Sequence, residues 1–309
     1  MKSVIINLLP LIAGLLVSPF QPFLQANSGR QSSTTPPSVV GDLRLHQLTS
    51  RIFNNDRTIR VLLPAGYDDG ANRNRRYPVL YLNDGQNIFD LATSLFNPLE
   101  WQVDETVDRL IREKNLSPLI VVGIDCAGRR SRFNEYFPYE DKFLQPAMPF
   151  PEGKKYPKFL VEEVLPFINA KYRTKTGPYS TGIGGSSAGA VASLYAVIAR
   201  PGVFGRLLLE SPSLYISDGQ LIKDAARTRR WPSRVYIGVG TNESGQVECK
   251  PDEINREAVA DVLRLKRVLQ AAGLNDRRLR VNVEECGRHD EAAWARRFPY
   301  ALEFLFGRD

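Results

Sequence analysis

Past residue 40, apolar positions fall into short runs separated by longer amphipathic stretches. Segments 43–53 and 58–63 read as two opening strands, closed by the Pro-, Gly- and Asp-containing loop Pro64 to Gly70. Segments 77–82 (YPVLYL) and 119–124 (LIVVGI) are continuous apolar runs, the pattern of strands buried on both faces. Between them, Val103, Val107, Leu110 and Ile111 recur at helical spacing and predict a helix over 101–113. A second helix is expected over 159–172, bent by Pro166. Strands at 179–183, 206–209, 235–239 and 279–284 follow, with helices at 188–200, 255–272 and 291–306. Strands separated by helices of this length predict an α/β domain with a mostly parallel sheet covered on both faces, after antiparallel opening strands. Active sites on such sheets lie at the carboxyl ends of the strands.

The start of the chain follows a different pattern. Lys2 precedes a stretch without charge from Ser3 to Gly29, most apolar from Val4 to Val17. That length suits a signal-peptide core, or alternatively a retained N-terminal anchor. Residues 1–26 are therefore read as a signal peptide or anchor, 27–40 as a Ser/Thr/Pro-rich linker, and 41–309 as one folded domain. The location expected is secreted or periplasmic, with membrane anchoring as the alternative. The formal charge of +7 changes this picture little. Arg and Lys are scattered without interleaved aromatics, so no nucleic-acid partner is expected. No spacing of His, Cys, Asp or Glu suggests a metal, and no cofactor motif is present.

Candidate chemistry begins at Gly185-Ser186-Ser187-Ala188-Gly189. This G-x-S-x-G joins a predicted strand to a predicted helix, the context of a nucleophile elbow, and makes Ser187 the candidate nucleophile. A serine needs a base, and the chain holds two histidines, His46 and His289. His46 lies in the first strand and reads as structural, whereas His289 follows the last predicted strand. Glu243, beyond the strand at 235–239, is the candidate acid, with Asp252 and Asp218 as alternatives. For an oxyanion hole, backbone N–H groups are expected from Ala188 and from Gln86 in the Asn83-Asp-Gly-Gln-Asn loop.

Taken in order, these segments resemble the putative esterases of the α/β-hydrolase superfamily, which include enterochelin, feruloyl and acetyl-xylan esterases and mycolyltransferases. The likeness is carried by YPVLYLNDGQNIFD, RSRFNEYFP, GGSSAGAVASLY, SPSLY, VGTNE and CGRHDEAAW, and spans about residues 58–306. Ala190 departs from it, standing where many relatives have a second glycine. The resemblance implies an α/β-hydrolase fold, Ser187, Glu243 and His289 as a triad, and Gln86 and Ala188 as the oxyanion donors. If the triad is right, the loops carrying Cys249 and Cys286 are neighbours and a disulfide could clamp them, the alternative being free thiols; Cys126 reads as a free core thiol. Asp84, Arg132, Glu135, Tyr136 and Tyr215 are candidate substrate contacts; an Arg132–Glu135 pair that merely pins a loop is the competing reading. The expected substrate is a small-molecule or carbohydrate ester. Acyl transfer to an alcohol, or a non-catalytic ligand-binding module, are the competing functions.

Overall fold

The structure, a computed structural model, describes residues 38–141 and 150–307, with Arg130 described by its backbone alone. The expected signal peptide or anchor and residues 27–37 of the linker lie outside the described residues.

Among the described residues a single sheet holds eight strands in the order β1-β2-β4-β3-β5-β6-β7-β8. They are β1 Asp42–Ser50, β2 Asn55–Leu63, β3 Val79–Asn83, β4 Ile120–Ile124, β5 Thr181–Ser186, β6 Arg206–Glu210, β7 Arg234–Asn242 and β8 Leu279–Arg288. β1 pairs antiparallel with β2 and β2 antiparallel with β4, while every later pairing is parallel. Together with the flanking helices this is the α/β-hydrolase fold.

Side chains alternate across the strands, so the central ones contribute to the cores on both faces. Ile59, Val61, Tyr81, Ile183, Leu207 and Ile237 pack on one face, beneath α5 (Ala188–Ala199), α6 (Ile216–Arg227) and α7 (Glu253–Ala271). Leu62, Leu80, Leu82, Val121, Leu208 and Tyr236 face the other way, under α1 (Val103–Arg112) and α8 (Glu291–Phe306).

Three local departures from the expected elements have physical causes. β2 begins at Asn55 rather than 58, because residues 51–54 turn tightly, with Asn54 at φ +53°, and return the chain directly onto β1. The helix expected from 159 starts earlier, as α3 (Tyr156–Phe159), and widens into a π-helical turn at Leu160–Val164. It then continues as α4 (Leu165–Lys171), with Pro166 seated in the first turn of α4. α2 (Arg129–Tyr136) and α6 escape the sequence pattern altogether. α2 (RRSRFNEY) has no apolar stripe, and α6 is interrupted by left-handed Ser217, Asp218 and Gly219.

The entry to the domain is fastened at α1. Ser38 Oγ donates to Glu100 Oε1 at 2.5 Å, and Val40 N donates to Asp104 Oδ2 at 2.5 Å. Burial, reinforced by Glu105, pushes the Asp104 carboxyl up to about 8 against the pull of the Val40 N–H. A carboxyl that keeps its proton in the folded state but loses it near pH 4 in the unfolded chain favours unfolding as pH rises. Its contribution therefore falls between about pH 4 and pH 8. Asp104→Asn is expected to flatten that slope, read from urea unfolding at several pH values.

Candidate active site

β5 delivers the chain to Ser187, which sits at φ +54°, ψ −123° immediately before α5. A non-glycine residue there is strained, and such strain concentrates at functional sites. The turn is sharp enough that a Cβ on Gly185 would lie 2.8 Å from the Gly189 carbonyl carbon, so the motif's flanking glycines answer to sterics. Ser187 N donates to Glu210 O at 2.9 Å, tying the elbow to the end of β6. Ala188 is the first residue of α5, where an N–H has no acceptor within its own helix.

Glu243 follows β7, and His289 follows β8, on adjacent parallel strands. His289 Nδ1 and Glu243 Oε2 are 2.6 Å apart. Because an ionised carboxylate only accepts, Nδ1 carries the proton and Nε2 is left as a base. Burial pushes the Glu243 carboxyl up, but it is outweighed by His289, Gly240 N–H and Ser211 O–H, which together hold it below the usual range. The imidazole lies edge-on to Trp294, centroids 5.4 Å apart. The other acids considered are engaged elsewhere. Asp252 caps α7 by accepting from Asn255 N at 2.7 Å, and Asp218 pairs with Lys223 on the surface. His46, on β1, bonds Tyr172 OH at 2.6 Å.

Ser187 and His289 are not hydrogen-bonded to each other in this arrangement. The Ser187 hydroxyl instead meets Ser213 Oγ at 3.3 Å.

The loop after β3 is held from every side. Asn83 Nδ2 donates to Gly189 O at 2.8 Å and Asn83 Oδ1 accepts from Tyr156 OH, joining the end of β3 to the elbow helix. Gln86 Oε1 accepts from Cys126 N at 3.0 Å, and the Cys126 thiol is free and buried. Asn87 Nδ2 reaches Glu291 Oε1 at 2.9 Å on α8. Asp84 receives both arms of Arg132, Nε at 2.8 Å and Nη2 at 2.7 Å.

This corrects the expected Arg132–Glu135 pair. Glu135 is bound by Arg57 and Asn55, so on α2 Glu135 is tied to β2 and Arg132 to the loop after β3. Asp84, Arg132, Glu135 and Tyr136 are all buried; Asp84 meets Arg132 and Tyr136, and Glu135 meets Arg57 and Asn55. Side chains so enclosed have no free surface to offer a substrate, and these four candidate substrate contacts form an internal brace instead. Tyr215 alone of that group is exposed, at 39%.

Residues 50–305 match the putative esterase family. The chain belongs to that family. Among its relatives is an endo-1,4-beta-xylanase/feruloyl esterase of Xylanibacter ruminicola, 27% identical over 251 residues, covering 81% of this chain and 29% of that protein. An uncharacterized protein of Bacillus subtilis, YbbA, is 21% identical over 88% of this chain and 98% of its own length. Among solved structures, a ferulic acid esterase superposes with a TM-score of 0.60 at 17% identity, over 86% of this chain and 98% of that one. A siderophore hydrolase of Aspergillus nidulans, EstB, gives 0.65 at 17% identity, over 87% and 97%. Membership of the family supports hydrolysis of carboxylic esters as the chemistry of this site.

Several residues of this esterase site were invisible to sequence reasoning. Ser211 and Ser213 lie in SPSLY, a segment whose only chain-level signal was its likeness to relatives. Asn83, Glu291 and Arg297 act through partners more than 80 positions away.

Cys249 and Cys286 are joined by a disulfide with Cα atoms 5.4 Å apart and a sequence separation of 37. It ties the segment after Glu243 to the strand end before His289. Closing a loop of that length restricts the unfolded chain by roughly 4 kcal/mol in the chain-entropy account, of which engineered removals typically recover about 2–4. The paired substitution Cys249→Ser/Cys286→Ser is expected to lower the thermal midpoint accordingly, measured by calorimetry.

Proposed function

We propose that this protein is a serine esterase that works through an acyl-enzyme on Ser187, with His289 as proton carrier and Glu243 as its orienting acid. The observation that carries the reading is the 2.6 Å Glu243–His289 pair at the carboxyl end of the sheet where the elbow also ends. As substrate enters, Ser187 Oγ turns from Ser213 to His289 Nε2 and attacks the ester carbonyl as its proton passes to the imidazole. The oxyanion meets the backbone N–H groups of Ala188 and Gln86, at a helix start whose dipole favours negative charge. His289 returns the proton to the departing alcohol, and water then repeats the sequence in reverse to release the acid. The substrate class is a carbohydrate-linked, siderophore or small acyl ester. The N-terminal apolar segment directs the protein out of the cytoplasm, to an oxidising compartment in which the Cys249–Cys286 disulfide persists. The test is labelling with a fluorophosphonate followed by peptide mapping. Modification of Ser187 is expected, and a protein that turns over esters while remaining unlabelled there would sink the assignment.

A further inference from the structure

Behind the Glu243 carboxylate lies a buried polar knot that the reaction scheme does not use. Arg297, on the buried face of α8, spreads its guanidinium over three acceptors. Nε donates to Glu210 Oε2 at 2.8 Å, Nη1 to Glu284 Oε2 at 2.6 Å and Nη2 to Ser211 Oγ at 3.2 Å. Nearly one turn earlier on the same helix, Trp294 Nε1 also donates to Ser211 Oγ, at 3.0 Å. Indole and guanidinium N–H groups can only donate.

A serine hydroxyl has two acceptor sites and one proton. Trp294 and Arg297 fill both acceptor sites, so the proton has one place to go: Glu243 Oε1, at 2.7 Å. Gly240 N donates to the same oxygen at 2.6 Å. With Oε1 occupied twice, the remaining oxygen, Oε2, is the one turned to His289 Nδ1. The direction of the Ser211 hydroxyl is thus set by its neighbours' valence, and it in turn sets which carboxylate oxygen serves the histidine. Ser211 also holds φ +41°, a left-handed backbone unfavourable for a serine and persisting only where surroundings impose it.

We propose that Ser211 is a positioning residue for the acid, its proton aimed at Glu243 by two donors from α8, Trp294 and Arg297. This rests on the reading of Ser187, His289 and Glu243 given above. Arg297 also balances Glu210 and Glu284, so removing it would leave the buried Glu210 carboxylate uncompensated and endanger the fold. Ser211 and Trp294 are therefore the positions to change. Trp294→Phe keeps an aromatic ring against His289 but removes the N–H donor.

The experiment measures kcat and KM on a p-nitrophenyl ester, and the low-field proton resonance of the His289 Nδ1–H. Loss of a hydrogen bond to a charged acceptor predicts that Ser211→Ala lowers kcat about 10- to 100-fold, with KM within about twofold and the resonance shifted or broadened. Trp294→Phe is expected to give a smaller loss in the same sense. The double variant is expected to be no slower than Ser211→Ala alone, because Trp294 acts through that hydroxyl. Should alanine disturb the fold at this backbone angle, Ser211→Gly removes the same hydroxyl where glycine is at ease. Wild-type kcat with an unmoved resonance in the Ser211 variant would overturn the proposal, as would losses that simply multiply in the double variant. Ser187→Ala is run alongside. If it retains turnover, the nucleophile assignment fails, while the resonance still tests Ser211. If it is inactive and Ser211→Ala is not impaired, only the positioning role falls.

Discussion

Ser187→Ala is expected to lower kcat on an activated ester by about 10⁴- to 10⁶-fold, the range seen when a member of a cooperating nucleophile–base set is removed. What remains is the contribution of binding and the oxyanion donors, which the substitution leaves in place. The fold is expected to survive. The hydroxyl's hydrogen bond is a long one, 3.3 Å to Ser213, and the backbone bonds of residue 187 to Glu210 and Val191 do not depend on its side chain. Alanine inherits the strain of φ +54° without relieving it, so the thermal midpoint should stay close to that of the parent. Ser187→Gly should be equally inactive and about 1 kcal/mol more stable, since glycine tolerates that angle. Stopped assays with matched calorimetry on the three proteins would check both halves. Undiminished turnover in Ser187→Ala would mean that the elbow is not the acylated site.

The second large effect is expected from a residue with no functional group at all. A Cβ on Gly240 would lie 1.9 Å from Gly287 O and 2.4 Å from its carbonyl carbon, and both are backbone atoms of the neighbouring strand. Unlike a flexible side-chain tip, a backbone cannot step aside, so β7 and β8 must part by an ångström or more. Those strands lead directly to Glu243 and His289, and Gly240 N itself donates to Glu243 Oε1. Overpacking of this kind costs about 3 kcal/mol. Gly240→Ala should therefore lose stability of that order in urea unfolding, and lose about 10²-fold in kcat because near-attack geometry is sensitive to ångström shifts. A variant with parental stability and rate would show that the two strands do not need this approach.

The legible parts of this site were those with local grammar. Gly185 and Gly189 around Ser187 encode a turn that only small residues can make, and the turn is found between β5 and α5. His289 stood out because His46 was placed on an opening strand. Other features were written in contacts between distant segments. Arg132 and Glu135 are three apart on one helix and invite pairing with each other, but tertiary packing gives Arg132 to Asp84 and Glu135 to Arg57. α2 has no apolar stripe and is held in part by these ionic contacts, so a search for hydrophobic period passes over it. The Ser211 hydroxyl was illegible for a related reason: its meaning lies in Trp294 and Arg297, which meet it only once α8 docks.

That docking has a consequence for how the protein comes into being. The elbow at residue 187 is synthesised before its candidate acid and base, Glu243 and His289, and before Trp294 and Arg297 behind them. A chain emerging from the ribosome or crossing a membrane in N-to-C order presents an exposed serine with no partner to activate it. In the proposed scheme that serine gains its base only once β7, β8 and α8 are in place.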